Sequence, residues 1–102
     1  MKIDSVLRGV NRRNLTNNTQ KVALKLLKAN GSWVRRSDLE RVATSASARV
    51  RDLRKPQFGR FQVECESAAT LNRNGSQHTF FYRIRPSTVS KRQVETVFRL
   101  EA

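Results

Sequence analysis

The sequence predicts a small α+β domain with three core helices, a β-hairpin after them, and a flanking helix at each end. Three observations lead to this class. Apolar residues recur at helical spacing through the first half of the chain. After Pro56 the pattern changes to strict alternation, which is typical of strands. An Asn74-Gly75 pair separates the two alternating runs and predicts a tight hairpin turn.

The length and charge of the chain favour a single domain with a polyanionic partner. The chain has 102 residues, with 21 lysines and arginines against 8 acidic residues, for a formal net charge of +13. Self-repulsion at this charge is relieved by binding a polyanion. We therefore expect nucleic acid as the partner. An anionic membrane surface is the second class of partner, and some structural proteins of the ribosome are equally basic.

The composition argues against metal and enzyme chemistry. A single cysteine, Cys65, and a single histidine, His78, supply neither an intrachain disulfide nor a zinc site. No phosphate-binding glycine loop or nucleophile constellation is found, so we expect no enzyme and no cofactor. No apolar run has the length of a membrane span, which favours a cytoplasmic or nucleoid-associated protein. Cys65 is expected to be buried.

Residues 1–17 predict a short helical segment followed by a basic linker. The segment has one apolar stripe at i, i+3, i+4 and i+7, formed by Ile3, Val6, Leu7 and Val10. A firmer helix is predicted from Gln20 to Ala29, capped by Asn18 or Thr19 and ended by Asn30-Gly31. Its polar edge consists of Lys21, Lys25 and Lys28.

Two further helices are predicted before Pro56. Trp33 precedes them and is expected to fill the core rather than stack on a base. Ser37 to Glu40 reads as a capping box that starts a helix from Asp38 to Ala43. Thr44-Ser45 ends that helix and caps the next, from Ser45 to Lys55, which Pro56 terminates. The inner face of this third helix is predicted to be Ala46, Val50 and Leu53.

Two strands and a final helix complete the predicted chain. The first strand has one apolar face, formed by Phe61, Val63 and Cys65. The return strand, residues 78–85, has Phe80, Tyr82 and Ile84 on its core side, whereas the pattern gives Phe81 no clear place. A helix then extends to Glu101. Its apolar stripe either closes the core or forms a dimer interface, and it comprises Val94, Val97 and Phe98.

A family resemblance is found in the stretches 22–27, 33–43 and 45–55 and in the strand, Asn-Gly turn and strand that follow them. Together they resemble the winged-helix (winged helix-turn-helix) family of DNA-binding proteins, over about two-thirds of the chain. The resemblance implies a DNA-binding domain at 18–86, an N-terminal arm at 1–17 and a C-terminal helix at 87–102. One stretch departs from it: Pro56 to Arg60 stands where the family often has Gly and a branched apolar residue.

The residues of the third helix suit the major groove, which is about 12 Å wide and admits one helix. Small residues at its N-terminal end allow close approach, and Arg49 and Arg51 suit guanine or phosphate. Asp52 either accepts from a cytosine amine or pairs with a neighbouring arginine. The predicted recognition-helix contacts are Ser45, Ser47, Ala48, Arg49, Arg51, Asp52 and Lys55. Predicted backbone contacts are Arg35, Arg36, Arg54 and Arg60, and predicted wing contacts are Asn72, Arg73, Asn74 and Arg83.

The sequence therefore predicts a double-stranded DNA-binding protein, a small transcriptional regulator or accessory factor of the kind that phages and mobile elements encode. A homodimer is expected to form through the helix that carries Val94, Val97 and Phe98. One alternative is a winged-helix module that docks on host machinery such as RNA polymerase. Another is a non-specific binder of RNA or single strands that uses Phe81 and the basic arm.

Overall fold

The structure is a computed structural model that describes Leu7, Val10, Leu15, residues 17–71 and residues 79–99. Within these residues it contains four helices and one three-stranded antiparallel sheet, so the predicted α+β class is confirmed. Several predicted features lie outside the described residues: Ile3, Val6, the Asn74-Gly75 turn, and the wing residues Asn72, Arg73 and Asn74.

The elements follow one another in the order helix, strand, helix, helix, strand, strand, helix. The helices are α1 (Asn18–Lys28), α2 (Arg36–Glu40), α3 (Ala46–Leu53) and α4 (Lys91–Phe98). The strands are β1 (Val34–Arg35), β2 (Val63–Ser67) and β3 (Phe80–Ile84), in the sheet order β1-β3-β2. Short 3₁₀ turns follow α3 at Pro56–Phe58 and precede α4 at Pro86–Thr88.

Helix α1 begins and ends close to its predicted bounds. The predicted cap, Asn18 or Thr19, is wrong by one or two residues: the side chain of Asn17 accepts a hydrogen bond of 2.7 Å from the backbone N–H of Thr19 and so caps the first turn. Lys25 and Lys28 lie in the last turn, where positive charge is favourable to the helix dipole. Gly31 then takes a φ of 90°, which ends the helix as predicted.

The predicted capping box at the start of α2 is wrong. The helix begins at Arg36, directly after β1, and its N-cap residue Arg35 makes no side-chain capping bond. Pairing of β1 with β3 holds Val34 and Arg35 extended, so the helix starts where the strand ends and Ser37 lies within it. A capping box does occur at α4, where Ser90 and Gln93 bond reciprocally.

The core lies between the helices and one face of the sheet. Its largest fully buried side chains include Leu26, Leu39, Leu53, Ile84 and Val94. Phe61 is also buried, as predicted. The N-terminal segment contributes Leu7, which is 5 % exposed and whose carbonyl accepts a bond of 2.9 Å from the N–H of Val10. The predicted docking of this segment is therefore confirmed for its described residues.

The two faces of the sheet differ from the prediction at Cys65 and settle the place of Phe81, which the pattern had left open. Tyr82 and Ile84 point to the core and Phe80 packs partly against it, as predicted. Cys65, however, is exposed. It lies on the edge strand β2, two residues after Val63, and the core covers the strand at Val63 but not at Cys65. Phe81 is buried on the opposite face, with the guanidinium of Arg35 lying 5.3 Å from its ring centroid.

Trp33 does not fill the core. It is half-buried and lies outside the buried cluster. The guanidinium carbon of Arg83 lies 4.2 Å from the centroid of its ring, a distance that allows a cation–π interaction. Its position directly before the two-residue strand β1 places it at the margin of the sheet instead.

Helix α4 closes the core of the chain. Val94 is 0 %, Val97 2 % and Phe98 7 % exposed, and all three belong to the main buried cluster. These side chains are already covered within one copy of the chain, so they are not available as the predicted dimer interface. The core-closing alternative is the correct one for this stripe.

Replacing Val97 with alanine is expected to lower the free energy of unfolding by about 2 kcal/mol, because the change leaves a cavity under α4. The loss should be the same at low and high protein concentration in urea denaturation. A loss that depends on concentration would indicate an intermolecular role for this residue and contradict its place in the core.

Candidate nucleic-acid interface

A tight turn joins α2 to α3. Ser45 takes a left-handed conformation, with φ of 53°, and makes no side-chain capping bond. Ser45 occupies the N-cap position, as predicted, but its side chain makes no capping bond because its backbone is bent into the turn. Asn18 of α1 donates a hydrogen bond of 3.0 Å to Oγ1 of Thr44, which connects the turn to the first helix. The helix itself ends at Leu53, two residues before the predicted end.

Helix α3 has the two faces that the sequence predicts. Ala46, Val50 and Leu53 are at most 2 % exposed and pack into the core. The opposite side carries Ala48 and Arg51, which are three residues apart and share one face of the helix, and Lys55 follows two residues after the helix ends. We call these three residues the outer row. Arg51 and Lys55 are exposed, whereas the small side chain of Ala48 is half-buried.

Asp52 pairs with one cation of α3 and with Lys55, just beyond the end of the helix. One carboxylate oxygen lies 3.2 Å from Nε of Arg49, and the other lies 3.3 Å from Nζ of Lys55. The buried hydroxyl of Thr19 donates a further bond of 3.3 Å to the carboxylate and so connects α3 to α1. Of the two alternatives for Asp52, the ion pair with an arginine is confirmed. The carboxylate pairs with Arg49, three residues before it on the same helix, and its side chain is only 18 % exposed.

The end of α3 is fastened to the sheet. Arg54 donates a hydrogen bond of 2.8 Å from Nη2 to the carbonyl of Val63, and the N–H of Phe61 donates one of 2.7 Å to the carbonyl of Leu53. Arg60 is exposed after the 3₁₀ turn, and its carbonyl accepts from Gln93 of α4. These bonds fix the direction of α3 relative to β2 and α4.

The phenol of Tyr82, on β3, lies close to Ser47 at the start of α3. Burial raises the pKa of this phenol, and the neighbouring Cys65 raises it further. A hydrogen bond with Ser47 and the positive charge of Arg36 lower the pKa in part, which places both residues near the phenol. Thirty-five residues separate Ser47 from Tyr82 in the sequence, so no local pattern predicts this cluster.

Tyr82 is the single tyrosine, so the tyrosinate absorbance of the chain reports on it directly. We expect its titration midpoint to lie above the ordinary value of 10.0, and Ser47→Ala to raise it further by removing a bond that favours the phenolate. Since the folded pKa is raised, the associated stability is present below pH 10.0 and is lost as the pH rises through the folded pKa. A midpoint at or below 10.0 would contradict the burial of the phenol.

The predicted backbone and wing cations fall into two groups. Arg36 is exposed near α3 and pairs with Glu40 at 3.0 Å. Arg35 and Arg83 lie instead on the outer face of the sheet. Arg83 stacks on Trp33 and its Nε donates to Glu64 at 3.1 Å, so it is engaged in the middle of β3. The structure does not bring Arg83 together with α3.

Glu64 is the acidic centre of that outer face. Hydrogen bonds from Arg83 and then Arg85, the latter at 2.6 Å, hold the pKa of its carboxyl below the ordinary value. Positive charge on this face is therefore partly neutralised by Glu64. Residues 49–60, in contrast, contain five cations and one acidic residue, Asp52. The strongest uncompensated positive charge of the predicted site belongs to α3 and the turn after it.

Comparison with known proteins yields no relative. The chain matches no protein-family model, no curated protein and no solved structure. In the described part of the chain, no helix is both long and apolar enough to cross a membrane, and no group of three or more metal-ligating side chains comes together. The interpretation of the site therefore depends on its own geometry.

Proposed function

We propose that this chain is a winged-helix protein that binds double-stranded DNA with α3 in the major groove. The observation that carries the proposal is the outer row of α3. The small residue Ala48 and the exposed Arg51 share one face of a helix whose other face is buried, and the exposed Lys55 follows just beyond the end of that helix. A helix that enters the groove needs this combination of close approach at its start and long donors farther along.

The support of α3 is consistent with this role. The bond between Thr19 and Asp52 holds its middle, and the bond from Arg54 to Val63 holds its end. A rigid helix is useful in recognition because less side-chain and backbone freedom is lost on binding. In this proposal Asp52 positions Arg49 and Lys55 and does not itself contact a base.

The surrounding cations extend the proposed contact along the phosphates. Arg36 is the first residue of the neighbouring helix α2, and Arg54 and Arg60 lie beyond the end of α3. Contacts of this kind position a protein on the duplex without specifying sequence. We assign base contacts to Ser47, Arg49 and Arg51. We assign phosphate contacts to the surrounding cations Arg36, Arg54, Lys55 and Arg60. Arg83 is left out because Glu64 and Trp33 engage it.

The proposal is tested by a salt series with a labelled duplex in fluorescence anisotropy. With about six phosphate contacts, the logarithm of the binding constant should fall with the logarithm of salt concentration at a slope near −5. A pool of random duplexes selected by the protein would then reveal whether a preferred sequence exists. No measurable affinity for duplex at low salt would contradict the proposal.

A single-stranded oligonucleotide of the same length is the matched control. The alternative of a single-strand or RNA binder relied on Phe81 as a stacking surface, but Phe81 is 4 % exposed and lies beneath Arg35. We therefore expect the duplex to bind more tightly than the single strand at every salt concentration. The reverse order would favour the alternative.

A further inference from the structure

A groove lies between α1, β1 and α2, on a surface to which α3 contributes no lining residue. Its volume is about 420 Å³. Its lining includes the apolar residues Leu24, Val34 and Val42, and Trp33 also lines it. The basic edge of α1 also lines it, and this edge comprises Lys21, Lys25 and Lys28. We call it the α1 groove.

The charge of the α1 groove is positive along its whole helical side. The three lysines are spaced i, i+4 and i+7, so they lie on one face of α1. Lys25 and Lys28 are exposed, and Lys21 is half-buried. One acidic residue, Asp38, also lines the groove, and its carboxylate lies 3.9 Å from the guanidinium of Arg41. The groove therefore offers three cations and one partly compensated acid beside an apolar floor.

From this combination we infer that the α1 groove binds an acidic amphipathic segment of a partner protein. Such a segment places apolar side chains on the floor and carboxylates along the lysines, which is the helix-in-groove mode of recognition. Nucleic acid fits less well, because charged phosphates gain nothing from contact with apolar side chains such as Leu24 and Val42. The charge complementarity also speeds the encounter of the two partners.

Binding at the α1 groove is compatible with the proposed DNA contact. None of the residues that line the groove belongs to α3 or to the turn after it. The chain would then connect a duplex on one surface to an acidic protein segment on another. The inference does not depend on the proposed function, because the groove and its charge are the same whether or not α3 binds DNA.

Trp33 provides the readout for a direct test, since it is the single tryptophan and lines the groove. The probe is a synthetic helix-forming peptide with glutamates along one face and leucines along the other. Titrated into the full chain, it should produce a saturable shift of Trp33 emission to shorter wavelength, with a dissociation constant in the micromolar range. A peptide with the same composition in shuffled order, which has no apolar face, should bind at least about tenfold more weakly.

The variant Lys25→Glu/Lys28→Glu should weaken peptide binding by about tenfold or more, because it reverses both exposed charges of the rim. The matched control, Lys91→Glu/Arg92→Glu, makes the same change in net charge on α4 and should bind the peptide like the unmodified chain. Arg51→Glu on α3 should also bind it normally, so loss of DNA binding and loss of peptide binding are distinguishable.

Three results would overturn the inference. The first is the absence of saturable binding of the amphipathic peptide. The second is equal binding of the amphipathic and shuffled peptides, which would indicate general charge attraction. The third is that Lys25→Glu/Lys28→Glu lowers affinity for duplex DNA more than the α4 control does and leaves peptide binding unchanged. That result would make the α1 groove a nucleic-acid surface.

Discussion

Replacing Arg51 with glutamate is expected to lower the affinity for duplex DNA by at least about 30-fold. The change removes a contact worth roughly 1–3 kcal/mol and adds repulsion against the phosphates. Because Arg51 is exposed in the outer row of α3, the folded structure should be retained. Anisotropy with the labelled duplex measures the loss, and urea denaturation checks the stability of the variant.

Arg92→Glu is the control for this experiment. Arg92 is also an exposed helical arginine, but it lies on α4, and its replacement makes the same change in net charge. A loss of affinity that is equal for the two variants would reflect general attraction to the basic chain and would contradict a specific role for α3. Arg49→Ala provides a finer comparison. If Arg49 contacts a base, the cost should be about 1–3 kcal/mol and confined to particular sequences.

Replacing Gly59 with alanine is expected to lower the free energy of unfolding by at least about 2 kcal/mol, by combining backbone strain with a clash. Gly59 has a φ of 103°, a conformation that side chains other than glycine rarely adopt. A Cβ there would lie 2.8 Å from Cε2 of Phe61 and 3.0 Å from the carbonyl oxygen of Gln93. The glycine therefore allows the 3₁₀ turn to pack between the core and α4. Urea denaturation measures the effect.

Gln57→Ala is the matched substitution in the same turn. Gln57 is exposed, and its replacement should change the stability by less than about 0.5 kcal/mol. If Gly59→Ala is as stable as Gln57→Ala, the close approach of the turn to Gln93 is not a feature of the folded protein. The position of α4 against this turn would then need revision.

Local periodicity is sufficient to predict the parts of the fold that depend on one segment. The buried face of α3 was predictable because Ala46, Val50 and Leu53 recur at helical spacing, and core burial enforces that spacing. The same reasoning located α1 and the two long strands. It also left two outcomes for the stripe on α4, because a buried face has the same pattern whether it packs on its own chain or on a second copy.

The features that sequence reasoning missed all depend on contacts between distant segments. Cys65 alternates with Val63 as a buried residue would, but its exposure is decided by how far the helices extend over the edge strand. Ser37 and Glu40 have the spacing of a capping box, yet strand pairing by Arg35 determined where α2 begins. The bond between Thr19 and Asp52 joins residues 33 positions apart, so no local signal marks it.

The central claim, that α3 is the DNA-binding element, is tested most directly by NMR titration of the isotope-labelled chain with a duplex. Backbone amide shifts are expected to concentrate in residues 45–55 and in the adjacent Arg36 and Arg60, with α4 and the α1 groove largely unaffected. Shifts concentrated along the lysines of the α1 groove or on the outer face of the sheet, with residues 45–55 unchanged, would contradict the claim.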